Sequence, residues 1–257
     1  MKFQLLPSTF DEHGRASRRQ HMPCFVVDDL IALDAGSLAI ATTNDQKKQI
    51  RDVVLSHAHL DHIAGLPLYI DDLFATIKRP IQIHATREVI EILERDIFNW
   101  SIYPRFSELE NDYGIVVEYR PFEIEQDFSV KHLTIKAVGV NHKVPSVGFI
   151  VSDAKSCFAL TSDTAQVDRF WEVINETENL SAVMVECAFP DELSELACNS
   201  HHLTPEVLRQ ELFKFKQNCP VYVINIKPMY VEQVSRQIRE LDIDNLQILD
   251  VGKIYEF

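Results

Sequence analysis

Residues 56–62 read Ser-His-Ala-His-Leu-Asp-His, so His57, His59, Asp61 and His62 fall within six residues, directly after the apolar run Val53-Val54-Leu55. A lone histidine there would be an ordinary polar loop residue. Four donors at this spacing carry more. In an extended or turning segment His57 and His59 project to one side, because side chains alternate, and two imidazoles on one side can share a metal ion. Asp61 and His62 lie further along the turn and can face a second ion. Imidazole and carboxylate donors suit zinc, and manganese or iron as well. The chemistry pointed to is that of a divalent-metal site, provided the rest of the chain supplies a matching context.

That context begins with the elements that must position these donors. Short runs rich in Val and Ile end abruptly in polar residues at 24–36, 52–62, 81–85, 133–142, 147–153, 157–163, 182–187, 221–226 and 246–252. Such runs read as buried strands, and polar chemistry at strand C-terminal ends is the usual arrangement of α/β active sites. Between them, residues 86–98 place Val89, Ile90, Ile92, Leu93 and Ile97 near helical spacing. Thr204-Pro205 reads as an N-cap and first helical residue, opening a helix to about Lys216. Residues 229–241 repeat Val231, Val234, Ile238 and Leu241 on one face. Alternating strands and helices predict an α/β protein, and no Pro/Gly/Ser-rich linker divides residues 1–257, which predicts a single domain.

Composition narrows the partners. With 39 acidic and 25 basic residues the net charge is −14. That disfavours long nucleic acid, whose non-specific binding is mostly electrostatic, yet leaves room for a small anion, because bound metal ions dominate a local field. The five cysteines are scattered and form no C-x-x-C, as expected in a reducing compartment. The first residues reach charge too early for a secretory signal, and no apolar run approaches a membrane span. The reading is a cytoplasmic protein with no membrane partner.

The H-x-H-x-D-H pattern resembles the metallo-β-lactamase superfamily, and the likeness continues in order along the chain. Asp34-Ala35-Gly36 looks like the family's early aspartate motif, Asn141-His142 like its next ligand histidine, and Thr161-Ser162-Asp163-Thr164 like its bridging aspartate. The stretches 59–66, 141–149, His202-Leu203-Thr204-Pro205 and Ile226-Lys227-Pro228 resemble class II cyclic-nucleotide phosphodiesterases, with the tRNA 3′-processing endonucleases as relatives. The resemblance implies a four-layer αββα sandwich with a metal site at one edge of its two sheets. It implies two divalent metal ions, zinc first with manganese or iron as alternatives, held by His57, His59, Asp61, His62, His142 and Asp163. It implies hydrolysis of a small phosphodiester such as cyclic AMP or cyclic GMP by metal-activated hydroxide, with Asp61, His202 and Glu186 as catalytic residues. Relatives of this kind are commonly dimers, so a homodimer is an open expectation.

One position departs from the pattern. Asn225 stands where the resemblance predicts a final ligand histidine, and an amide oxygen is a poorer zinc ligand than imidazole. Asn225 is therefore a weak candidate ligand of a weakened or manganese-tuned second site. His201 competes with His202 for the catalytic role; His202 directly precedes the Leu-Thr-Pro turn, and a general acid must sit on a fixed element. His13, His84 and His132 lack motif partners and read as structural. Trp100, Tyr103 and Phe106 read as core or lid, with a base-stacking wall as the sharper alternative. Arg15, Arg18, Arg19 and Lys227 are solvated cations or phosphate contacts.

Three rivals remain. A tRNA-processing endonuclease would be expected to carry a binding arm between the third-motif histidine and the bridging aspartate, yet His142 and Asp163 are only 21 positions apart. A thioester or lactone hydrolase lacks support from Glu186, His202 and Lys227, although one fold hosts many functions. A non-catalytic binding protein with an eroded second metal site draws only on Asn225.

Overall fold

The computed structural model describes all 257 residues and builds two seven-stranded sheets. The first takes β1 (Lys2–Leu5), β2 (Phe25–Val27), β3 (Ile31–Leu33), β4 (Asp52–Val54) and β5 (Ile81–Ala85). After a small ribbon of β6 (Glu110–Asn111) and β7 (Gly114–Ile115), β8 (Val117–Pro121) ends this sheet beside β5. The second takes β9 (Asp127–Val130), β10 (Leu133–Gly139), β11 (Val147–Ser152), β12 (Cys157–Leu160), β13 (Leu180–Glu186), β14 (Val221–Ile224) and β15 (Leu246–Ile248). The last strand, β16 (Ile254–Glu256), returns to the first sheet and pairs with β1, Phe3 opposite Tyr255.

The two-residue period of the strands divides their side chains between three apolar layers. Phe25, Val27, Ile31 and Leu33 of the first sheet meet Phe149, Val151, Ala182 and Met184 of the second in the central layer. Their neighbours point outward. Val26, Ala32 and Val53 pack against the helical side made by α1 (Leu38–Ala41), α2 (Asn44–Gln49), α3 (Leu60–Ile63), α4 (Gly65–Leu73) and α5 (Arg87–Ile92), notably through Leu38, Leu66, Ile70 and Val89. Ile150, Val183 and Val223 pack against α6 (Arg169–Glu176), α7 (Ser194–Ser200), α8 (Pro205–Leu212) and α9 (Val231–Glu240), through Trp171, Ile174, Leu208 and Val234. This is the four-layer αββα sandwich expected.

Several boundaries differ from the sequence reading. The run at 24–36 folds back as a β2–β3 hairpin. Leu30 N–H donates to Val27 O at 3.0 Å, and Asp28 and Asp29 adopt φ of 50° and 58°, the I′ pattern that suits strand twist. The 86–98 helix is α only to Ile92 and continues as a π turn over Leu93–Ile97, closed by Phe98 N–H on Leu93 O. α8 ends at Leu212 rather than near Lys216, whose N–H is taken by Asn175 Oδ1 at 2.8 Å. Thr204 occupies the N-cap with extended backbone, but its side chain makes no capping bond. No helix is long and apolar enough to cross a membrane.

Direction matters most for chemistry. β3, β4, β5 and β8 run parallel, as do β12, β13, β14 and β15. Their C-terminal ends therefore deliver the loops that follow β4, β12, β13 and β14 to a shared edge of the sandwich.

Candidate metal centre

The loop after β4 brings His57 and His59, and the short α3 carries Asp61 and His62. His142 follows β10, Asp163 follows β12, Glu186 ends β13, Asn225 follows β14, and His202 sits between α7 and α8. Three overlapping sets of donor atoms result, each set lying within 4.8 Å: His57, His59 and His142; His57, His62 and Asp163; His142, Asp163 and His202. Asp61 lies outside all three, with Oδ2 at 3.4 Å from Lys227 Nζ. Asn225 donates Nδ2–H to Asp163 Oδ1 at 2.7 Å.

The outward ring nitrogens decide which atoms remain for a ligand. His62 Nδ1 lies 2.7 Å from Asp34 Oδ2, and His142 Nδ1 donates to the His201 carbonyl at 3.0 Å. His57 Nδ1 lies 2.9 Å from Ser56 Oγ, which itself donates to the Asp34 carboxylate at 2.9 Å. His202 Nδ1 lies 2.9 Å from Glu186 Oε1. In each case a carboxylate, carbonyl or hydroxyl holds Nδ1 and turns Nε2 toward the cluster, where His142 Nε2 lies 3.1 Å from His59 Nδ1, the arrangement that metal-ligating histidines adopt. The Nε2 atoms of His57 and His62 are buried with no hydrogen-bond partner. Buried polar atoms are almost always partnered. Two orphaned imidazole nitrogens beside a carboxylate thus fit a divalent cation.

Charge follows the same geometry. Burial pulls the imidazoles of His57 and His59 down, and takes His142 to about 4, which favours the neutral rings that a metal ion requires. Burial alone would lower His62 too, but the charges of Asp163 and Asp34 outweigh it and raise the ring. Asp163 is buried, which would raise its carboxyl; His62 and His57 reverse that and hold it well below the carboxylate range. Burial raises Glu186, and the Glu186 carboxylate lifts His202 despite that ring's own desolvation.

The backbone is locally unusual at this edge. Asp34, Ser162, His201 and Asn225 all take left-handed φ, between 55° and 57°, and such residues concentrate where structure is fixed for function. Gly36 and Gly65 allow the Asp34 loop and the ligand loop to touch. A Cβ on Gly36 would fall 2.0 Å from Asp61 O, and one on Gly65 2.5 Å from Ala35 O.

All the residues singled out as ligands or catalytic groups thus gather at one edge, Asp61 and Asn225 at its rim. The His201–His202 ambiguity has a geometric answer: His201 turns its ring to Asn141 Oδ1 at 2.9 Å and offers only its carbonyl, while His202 joins the donor cluster. Sequence reasoning missed the hydroxyl relay of Ser162 to Ser56 (2.8 Å) and Ser56 to Asp34; adjacency to His57 and Asp163 was the available signal. It also missed Gln20 and His21, which line the cleft over Asp61, His62 and Asp163 and carry no pattern. Arg15, Arg18 and Arg19 do not line that cleft. Phe106 is core, packed on Phe98 and Tyr103, whereas Trp100 is exposed and bonds Glu108. His84 pairs with Asp52 and His132 with Asp28, consistent with structural roles.

A four-layer sandwich with an imidazole–carboxylate cluster at the ends of its strands defines the β-lactamase superfamily class, and the chain belongs to that family: the model of the beta-lactamase superfamily domain matches residues 29–217. Among curated relatives, a probable 3′,5′-cyclic-nucleotide phosphodiesterase of Yersinia pestis is 27% identical, over 78% of this chain and 63% of that protein. A nuclear ribonuclease Z of Triticum aestivum is 29% identical over 39% of this chain and 54% of its own. The chain thus spans less than two thirds of the length of either. Unliganded yeast PDE1 superposes with a TM-score of 0.75 at 16% identity, covering 98% of both chains. The short form of human tRNase Z gives 0.67 at 15%, covering 100% of this chain and 99% of that one.

Proposed function

We propose that this protein is a metal-dependent hydrolase of a small phosphodiester, with a 3′,5′-cyclic nucleotide as the substrate class. The observation that carries the reading is the Glu186–His202 pair at 2.9 Å, set beside the ligand cluster. Cleaving a phosphodiester expels an alkoxide, which needs a proton. A thioester expels a thiolate, stable near neutrality, and has no comparable need for an acid. The Yersinia relative's name and the −14 net charge support a small substrate over a structured RNA. His142 and Asp163 are joined by little more than the β11–β12 hairpin, with no inserted arm.

His57, His59, His142 and Asp163 would hold one divalent ion; Asp61, His62 and Asp163, with Asn225 alongside, would hold a second. Bound there, the ions supply Lewis-acid activation of water and neutralise charge on phosphoryl oxygens. The remaining roles belong to the chain. Glu186 accepts Nδ1–H of His202, which fixes the ring and leaves Nε2–H as the proton delivered to the departing sugar oxygen. Asp34 and the His201 carbonyl hold His62 and His142 in one tautomer. Lys227, beside Asp61, adds a cation where an anionic phosphate would enter.

The experiment is turnover of cyclic AMP, cyclic GMP and bis(p-nitrophenyl) phosphate, with added zinc or manganese and with a chelator. Chelator-sensitive hydrolysis of a cyclic nucleotide supports the reading. Turnover of the generic diester alone keeps the hydrolase and rejects the substrate. No turnover with any metal rejects both, in favour of a binding protein.

A further inference from the structure

The opposite edge of the first sheet is built differently from the rest of this acidic molecule. Residues at the start of β4 and β5, the end of α2, the 76–80 turn and the β9–β10 turn surround a cleft of about 620 Å³. Its lining carries five cations (Lys48, Arg51, Lys78, Arg79 and Lys131) and one carboxylate, Asp52. That carboxylate is buried and already taken, by Lys131 at 3.0 Å and His84 at 3.0 Å. Arg51, Lys78 and Arg79 form no ion pair with any acidic residue, although the chain holds 39 acidic residues against 25 basic. Arg51 is also fixed in place: Nη1 donates to the carbonyls of Lys47 at 2.8 Å and Ile50 at 2.6 Å. Its Nε and Nη2 form no hydrogen bond within the chain.

From this convergence we propose a binding site for a small polyphosphate, separate from the metal centre and independent of the hydrolase reading. Two segments distant in sequence place the unpaired cations Arg51, Lys78 and Arg79, with the ion-paired Lys48 and Lys131 beside them, around a volume within the usual range for small-molecule sites, roughly 300–1,000 Å³. Guanidinium and ammonium groups around one anion match phosphate oxygens. Leu30 and Pro80 are the only apolar side chains in the lining and no aromatic ring is among them, so the phosphates carry recognition. The metal ligands follow the other end of β4. Asp52 and His57 are five residues apart along nearly extended chain, on the order of 15 Å.

Calorimetric titration with tripolyphosphate, ATP and adenosine tests the assignment. The wild type, Lys78→Glu/Arg79→Glu and His59→Ala are compared in low and high salt. The expected result is tripolyphosphate binding by wild type and by His59→Ala, weakened by salt and reduced at least tenfold in the double variant, with no binding of adenosine. Equal affinity for ATP identifies the phosphates as the whole determinant; tighter ATP binding identifies a nucleotide as the source of the same chemistry. Both mutated side chains are exposed, and Lys78→Ala/Arg79→Ala, expected to show an intermediate loss, guards against misfolding by charge reversal. Unchanged affinity in the double variant overturns the site, as does loss of binding in His59→Ala, which would place the anion at the metal centre.

Discussion

Asn225 Nδ2 stands 2.7 Å from Asp163 Oδ1, so the carboxylate expected to join two metal sites already accepts a hydrogen bond from the residue that replaces a ligand histidine. The amide satisfies one oxygen of Asp163 and contributes no imidazole. Its backbone, at φ 57°, is a conformation that asparagine and histidine tolerate better than most residues.

Asn225→His should therefore be accommodated without refolding the loop, and should add a ligand. Metal content after dialysis against a mild chelator is expected to rise from about one ion per chain to about two, measured by elemental analysis. A wild type that already retains two ions through that dialysis contradicts this account of Asn225.

The Glu186–His202 pair has a pH signature. Glu186 raises the His202 ring above its ordinary value, and a general acid works only while protonated, so activity is lost as pH climbs past the His202 pKa. Glu186→Gln removes the raising charge and should move the alkaline limb of kcat to lower pH, while His202→Ala abolishes the limb and lowers kcat by about 10²–10⁴. An unmoved limb in Glu186→Gln would show that another group titrates there.

Asp34 accepts from Ser56 N–H at 2.8 Å and from Ser56 Oγ–H, and holds His62 Nδ1 at 2.7 Å. Asp34→Asn keeps the shape but upsets this donor–acceptor pattern. Metal affinity is expected to fall about 10–100-fold, read by competition with a chromophoric chelator. Affinity within twofold of wild type would remove Asp34 from this role.

Asp52 offers a test away from the metals. Burial would raise its carboxyl, but His84 and Lys131 more than compensate, and the folded-state value is lowered. A lowered acid stabilises above its unfolded pKa, about 3.9, and that contribution is lost as pH falls through the folded value. Asp52→Asn should thus be less stable than wild type by about 1 kcal/mol at pH 7, with the difference shrinking below pH 4 in urea titrations. A pH-independent difference would point to packing instead.

Much of this was legible in the sequence for a physical reason: donors fixed at short spacing after a buried strand need few long-range facts. His57, His59, Asp61 and His62 lie on one continuous segment, and the strand runs announced both sheets. The hairpin at Asp28-Asp29 was hidden because apolar residues flank the turn on both sides. The π turn at Leu93–Ile97 was hidden because a one-residue slip barely alters helical periodicity. His201 and His202 could not be separated by spacing, since their difference is a left-handed backbone at His201 that turns neighbouring rings apart. The basic cleft draws on residues from 30 to 131, which only the fold assembles.

The mutual fit of Gly36 and Gly65 ties the donor loop to the loop that carries Asp34. With Asp61 O where a Gly36 side chain would stand, and Ala35 O where a Gly65 side chain would stand, the two loops meet by direct backbone contact. Gly36→Ala would force them apart. The donor loop is consequently anchored by backbone packing on the Asp34 loop, so a substitution that touches no ligand, Gly36→Ala, would displace the whole donor cluster.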